Sequence, residues 1–146
     1  MNYRLASTLF VVAVLPFVLC GPANAASEVK GAAILDHPCG KVSVKQMGLV
    51  HAGKIDDANK LTTKEMQDQW KAMPAKDRSM MSGMMKEMSQ AEAQYAADIK
   101  TSGLLVIDGQ AATLTVKKTT KDANGTSTST TTQNFKLSGA ECLISR

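Results

Sequence analysis

The apolar positions of the first half of the chain recur every three or four residues, the spacing of helices that bury one face. Pro38 suits the first turn of a helix, and Asp36 or His37 before it can act as the cap. Gly53 ends this helix. A short second helical turn is predicted at residues 55–61.

A capping-box pattern, Thr62-Thr63-Lys64-Glu65, predicts that a third helix starts with Thr62 as its cap. The apolar stripe behind this cap, which we expect to be buried, is Met66, Trp70 and Met73. Pro74 ends that helix and opens a long one over residues 75–100. Gly83 is the candidate break within it.

The period changes from helix to strand at Gly103. Residues 104–107 form an apolar strand before the tight-turn pair Asp108-Gly109. Alternating apolar and polar residues predict three more strands, at residues 111–119, 126–137 and 140–145. The side chains expected on the inner face of the sheet are Leu114, Val116, Phe135, Leu137 and Ile144. We therefore predict an α+β fold of about three N-terminal helices packed on a curved, four-stranded antiparallel sheet.

The first 25 residues have the order of a secretory signal: one positive charge at Arg4, a broken apolar run, and the small-residue site Ala23-Asn24-Ala25. The run is shorter than the roughly 20 residues of a membrane-spanning helix. We predict cleavage after residue 25, a tether over residues 26–36, a single domain over residues 37–146, and a periplasmic or secreted protein without stable membrane insertion. Lipid attachment at Cys20 is the alternative.

After that cleavage two cysteines remain, Cys39 and Cys142. Thiols oxidise in the exported compartment, and one intramolecular pairing exists, so we predict a Cys39–Cys142 disulfide. Free thiols and an intermolecular bridge are the alternatives. The spacing excludes a CxxC redox motif and a zinc site, so the predicted role is structural.

The chain has 17 Lys and Arg against 13 Asp and Glu, and its formal net charge of +4 is scattered rather than clustered. A nucleic-acid partner is not predicted, because such proteins carry basic runs. No phosphate loop, Ser-His-Asp order or zinc-protease motif occurs, so we predict no cofactor and no catalytic residue. His37 and His51 flank predicted helix ends, where polar caps are ordinary.

Five methionines fall within one short segment: Met80, Met81, Met84, Met85 and Met88. One interpretation is a buried core stripe. A second is a surface for a protein partner, since methionine repacks around varied shapes. A third is Cu(I) binding by Met80, Met84 and Met88, which share one helix face and offer thioethers.

The Ser/Thr run at residues 126–132 is typical of an exposed sheet face near a hairpin tip, where threonine is favoured. Two alternatives are a binding strand and, at Asn124-Gly125-Thr126, an N-glycosylation acceptor.

The stretch GLVHAGKIDDA at residues 48–58, followed by Leu61 and TTKEM at residues 62–66, resembles the opening of nuclear-transport-factor-2-like (SnoaL-like) domains. More narrowly, residues 36–146 are similar to small exported bacterial proteins of that superfamily with no known activity. The resemblance implies a cone-shaped fold whose first helix packs near the last strands, and a possible homodimer formed through the open sheet face.

Enzymes of that superfamily place acidic and aromatic side chains inside the cone. The predicted inner face here has no titratable residue, and nothing in the sequence brings Tyr95 and Asp98 together. The sequence therefore favours a non-enzymatic exported protein that binds a protein partner of the cell envelope or a small ligand, such as an envelope accessory or toxin-immunity factor. A periplasmic Cu(I)-binding protein and an enzyme with a cone pocket are the alternatives.

Overall fold

The computed structural model describes residues 25–122 and 125–146. The predicted signal segment up to Asn24 and the sequon asparagine Asn124 lie outside the described residues. The strands are β1 (Ser27–Lys30), β2 (Leu104–Asp108), β3 (Ala111–Asp122), β4 (Gly125–Ser138) and β5 (Glu141–Ser145). The helices are α1 (Pro38–His51), α2 (Ile55–Asn59), α3 (Lys64–Ala72), α4 (Ala75–Met88) and α5 (Glu92–Ser102), with a 3₁₀ helix at Gly31–Leu35.

The architecture is α+β, as predicted, with one antiparallel sheet whose strands lie in chain order from β1 to β5. The predicted number of four strands is wrong, because the segment expected to be a tether supplies β1. Ser27 to Lys30 pairs with the outer edge of β2, and the 3₁₀ helix begins at Gly31, which has φ +59°. That strand covers an edge that would otherwise have unpaired backbone groups.

The described part of the chain also has more helices than the predicted three. The segment expected as one long helix is divided into α4 and α5, and the division lies at Ser89 rather than at Gly83. Ser89 has extended backbone angles, and its hydroxyl donates to the carbonyl of Lys86, which closes the end of α4. Gly83 lies inside α4 with open space around it.

The main core lies between the sheet, α1 and α5. Its buried members are Ile34, Cys39, Tyr95, Ile99, Leu105, Ala112, Leu114, Val116, Phe135, Cys142 and Ile144. Four of the five residues predicted for the inner face are buried, and Leu137 is half-buried against them. The predicted disulfide is confirmed: Cys39 and Cys142 are bonded, with 5.1 Å between their Cα atoms. It connects the start of α1 to β5.

The α3 and α4 helices lie outside this core, and neither has a buried residue. The prediction of a buried stripe in α3 is therefore wrong, and of the interpretations of the α4 methionines, a buried core stripe does not agree with the structure. A second, small cluster of Val50, Ile55 and Ala58 joins α1 to α2, and Trp70 and Met85 pack against it. The two helices are thus attached to the domain by half-buried side chains, and a cleft lies beneath them.

Candidate functional site

The cleft between α1, α2, α3 and α4 has a volume of about 220 Å³. Its apolar lining residues are Ile55, Ala58, Met66, Trp70, Met73, Met81 and Met85. Its polar lining residues are Gln46, Asn59, Thr62, Gln69 and Arg146. We call this space the methionine cleft, because four of the apolar side chains are methionines.

Local sequence explains how each helix faces the cleft. Met66, Trp70 and Met73 follow one another at four- and three-residue steps on α3, so they lie on one face. Met81 and Met85 are four residues apart on α4, so they also lie on one face of their helix. Trp70 and Met85 pack against the cluster at α2 but are not fully buried, because their helix faces also border the cleft.

The ring of Trp70 is oriented by a hydrogen bond at the cleft margin. Its Nε1 donates to Oδ1 of Asp56, at 3.1 Å. Asp56 belongs to α2, so the bond connects α3 to α2. An indole N–H needs such a partner when the rest of the ring is withdrawn from water.

The methionine group predicted from the sequence does not form one surface. Met81 and Met85 line the cleft, whereas Met80 and Met84 are 61% and 51% exposed and are absent from its lining. Met88, at the end of α4, is 83% exposed. The structure therefore separates a cleft-lining pair from an outward-facing set.

A second cavity, of about 180 Å³, lies between α5 and the long β3–β4 hairpin. It is lined by Met47, Met88, Gln90, Tyr95, Asp98, Val116, Lys118, Ser129 and Thr131. Tyr95 and Asp98, which the sequence could not connect, therefore line the same cavity. Asp98 accepts hydrogen bonds from Gln90 and Gln94.

A hydrogen-bond chain runs through the interior from this cavity to the methionine cleft. Ser43 donates to Oε1 of Gln133 at 2.5 Å, so its oxygen accepts from the hydroxyl of Tyr95 at 3.1 Å. Gln133 in turn donates to Gln46, which lines the cleft. Burial raises the pKa of Tyr95, although its bond to Ser43 opposes that shift. Tyr95 is therefore a protonated donor rather than a base.

Sequence reasoning missed the polar members of this chain. The available signal was Ser43, a small polar residue one helical turn after Cys39 on the buried face of α1. Gln133 carried no comparable signal, because its contact with α1 joins positions far apart in the chain.

The two histidines have the positions expected of them at helix ends. Nδ1 of His37 accepts from the amide of Cys39 and caps α1. His51 lies in the last turn of α1, and its Nδ1 lies 3.4 Å from the hydroxyl oxygen of Ser89. Within the described ranges, no three His, Cys, Asp or Glu side chains are grouped so that they could hold a metal ion.

Comparisons with family models, curated proteins and solved structures find no significant match to this chain. The resemblance to nuclear-transport-factor-2-like domains stays a prediction. Among residues 25–122 and 125–146, no helix combines the length and apolar character needed to cross a bilayer.

Proposed function

We propose that this protein is a non-enzymatic, exported binding protein that holds a small apolar molecule in the methionine cleft. The observation that carries the proposal is the cleft itself: an accessible, largely apolar cavity beneath two helices that have no buried residue. Apolar surface that a protein leaves accessible is typical of binding sites.

The composition of the lining supports a ligand of this class. Ligand pockets combine apolar and aromatic walls with a few polar groups that orient the molecule. Here Trp70 and the methionines form the walls, and Gln46, Asn59 and Arg146 provide the polar groups. Methionine is unbranched and polarizable, so the walls can adapt to ligands of different shape.

The size of the cleft limits the ligand. Its volume of about 220 Å³ is below the range of about 300–1,000 Å³ found for sites of drug-sized molecules. A fragment-sized molecule, such as one with one or two small aromatic ring systems or a short acyl chain, is therefore the expected occupant. The loose attachment of α3 and α4 would let them move apart for entry.

The second cavity gives little support to the alternative of an enzyme. Its one buried titratable side chain, Tyr95, is already a donor to Ser43 and is kept protonated by burial. A catalytic base must release its bound proton and reach a substrate. The Tyr95 hydroxyl is committed to the interior instead, which favours a structural role for that residue.

Trp70 is the only tryptophan of the chain, which permits a direct test. The probe is N-phenyl-1-naphthylamine, a neutral apolar fluorophore that accepts energy from indole. Titration should quench Trp70 emission and increase probe emission with saturation at one probe per chain. Absence of saturable transfer would contradict the proposal.

A matched pair of variants locates the probe. Met81→Gln with Met85→Gln places amides in the cleft and should weaken probe binding about tenfold or more, because a polar group is then desolvated without a partner. Met80→Gln with Met84→Gln makes the same chemical change on the outward side of α4. That control should bind as the wild type does; equal weakening in both variants would place the probe elsewhere.

A second candidate function is Cu(I) binding by Met80, Met84 and Met88. The observation that favours it is that all three are exposed and follow one another at four-residue steps. Thioether ligands select Cu(I) among metal ions. Competition with the chelator bicinchoninate under anaerobic conditions tests it: a site that wins Cu(I) from the chelator and is lost in Met84→Leu supports copper, and no transfer from the chelator refutes it.

A further inference from the structure

The β3–β4 hairpin extends well beyond the strands on either side of it. β3 and β4 pair along their length, from Ala111 with Lys136 to Asp122 with Gly125. β5, the outer neighbour of β4, pairs only with Asn134 to Ser138. Over the rest of its length, β4 has no strand beside it among the described residues.

The hydrogen bonds of the sheet show which backbone groups face that open side. The amide of Leu137 donates to the carbonyl of Gln110, so the backbone of Leu137 faces β3. Backbone groups alternate in direction along a strand, and the β3–β4 register is continuous. The backbone N–H and C=O groups that face the open side therefore belong to Thr126, Thr128, Thr130 and Thr132.

The bonding of β5 supports this assignment independently. Ile144 has its amide and carbonyl bonded to Leu61 and Thr63, on the side away from β4. The β5 residues beside Ile144 therefore face β4, and Ser145 pairs with Asn134. The backbone of Asn134 therefore faces β5, the same side that the backbone groups of the even-numbered residues 126–132 face.

The open edge lacks the features that keep edge strands apart. Exposed edges usually carry lysine, proline or a bulge that prevents pairing with another chain. From Gly125 to Asn134, β4 has none of these: it has no charged residue and no proline, and its register contains no bulge. Three lysines of the hairpin, Lys117, Lys118 and Lys121, lie on β3, and the lysine of β4, Lys136, lies in the part that β5 covers.

We propose that the edge of β4 from Thr126 to Thr132 pairs antiparallel with the same edge of a second copy of this chain. Pairing about a two-fold axis places Thr126 opposite the partner's Thr132, and Thr128 opposite the partner's Thr130. Every hydrogen-bonded pair is then threonine with threonine, and the pairs between them are Ser127 with the partner's Thr131 and Ser129 with the partner's Ser129. Hydroxyl side chains of this kind are favourable cross-strand pairs.

The composition of the edge favours a second copy as the occupant. Because the strand is uncharged from Gly125 to Asn134, two identical edges can meet there without like charges opposite each other. All of its residues from Gly125 to Thr132 are exposed, so nothing needs to move before they pair. The inference concerns a different surface from the methionine cleft and does not depend on the ligand proposed for it.

The mass of the protein in solution gives the first test. An interface of one strand pair is small, and interfaces of that size are weak, so sedimentation equilibrium should extend to protein concentrations of about 500 μM. The wild type should show a reversible monomer–dimer equilibrium. A wild type that remains monomeric over the whole range overturns the proposal.

Charge variants separate edge pairing from other dimers. Thr128→Lys with Thr130→Lys places lysines opposite each other across the axis and should abolish self-association, as should Thr128→Glu with Thr130→Glu. An equimolar mixture of the two variants should form a heterodimer. If the mixture stays monomeric, or if each variant alone still dimerises, the proposed edge is not the interface.

A control adds the same charge to the same hairpin, but on β3, whose backbone does not face the partner. Thr119→Lys with Thr120→Lys changes β3, one strand further from the partner, and should leave the dimer intact. Amide hydrogen exchange gives a second readout: the amides of Thr128 and Thr130 should become more protected as protein concentration rises. Protection that is independent of concentration would contradict edge pairing.

Discussion

Breaking the Cys39–Cys142 bond should remove a large part of the stability of this domain. The bond closes a loop with a sequence separation of 103 residues. In the chain-entropy description, a cross-link of about that loop length stabilises the folded state by roughly 4.7 kcal/mol, because it restricts the unfolded chain. Domains of ordinary stability unfold with only about 5–15 kcal/mol. We therefore expect the reduced protein to be marginally stable.

The comparison is between the oxidised protein and the same protein reduced in denaturant and kept under reductant. The two differ by one bond, so no substitution complicates the result. Urea unfolding followed by far-UV circular dichroism gives both free energies. Circular dichroism is preferred to Trp70 fluorescence because α3, which carries Trp70, lies outside the main core.

The Cys39→Ala, Cys142→Ala double variant provides a reductant-free check. Alanine avoids placing a hydroxyl where both cysteines are now buried. We expect the variant to lose at least as much stability as the reduced protein, since it also leaves a small cavity. A loss below about 1 kcal/mol in both experiments would refute the entropic reasoning.

Three further predictions concern residues of α1 and their neighbours. Gly40→Ala should lower the free energy of unfolding in urea by several kcal/mol or abolish folding, because its Cβ would lie 1.8 Å from a backbone oxygen of the 3₁₀ helix. The comparison variant Gly83→Ala, which has open space around it, should stabilise α4 by about 0.5–1 kcal/mol. Burial lowers the pKa of His37 below its ordinary 6.5, so the unfolded chain takes up the proton first and stability is lost as pH falls from 6.5 towards the folded pKa. His37→Asn, which caps without titrating, should remove that part of the slope in a comparison of unfolding curves above and below pH 6.5; an unchanged slope would contradict the assignment. Ser43→Ala should cost more than Tyr95→Phe, roughly 2 against 1 kcal/mol, because it leaves two partners of Ser43 without their bond. The reverse order would refute the central position of Ser43 in the hydrogen-bond chain.

The strand half of the fold was accessible from sequence because alternation and tight turns are local signals. β1 was not, because its four residues, Ser27 to Lys30, include one residue with a large apolar side chain, Val29. Its strand conformation comes from pairing with β2, which lies more than 70 residues away in the chain. Such a contact leaves little trace in local pattern.

The helix boundaries show a similar limit. Thr62 has the residue type of a cap, but α3 begins at Lys64 after Thr63. Thr62 is buried instead, and its hydroxyl donates to the carbonyl of Asn59. The neighbouring backbone is held by Ile144 of β5, whose carbonyl accepts from the amide of Thr63. The backbone pairing with β5 therefore prevails over the local capping-box pattern, and Thr62 does not cap α3.

The methionine segment could be singled out from its composition, but its surroundings could not. Helical spacing shows that Met81 and Met85 share a face. It does not show whether another element covers that face, which depends on how α3 and α4 lie relative to α2. The structure resolves this by placing a cleft there, with Met80 and Met84 on the outward side.

Methionine-methyl NMR during a titration with N-phenyl-1-naphthylamine tests the central claim most directly, because each methionine reports on its own position. The proposed site predicts saturable shifts of the methyl signals of Met81 and Met85, while the signals of Met80 and Met84 stay unchanged. Shifts confined to the outward pair, or no saturable shift at any methionine, would contradict an apolar ligand site in the methionine cleft.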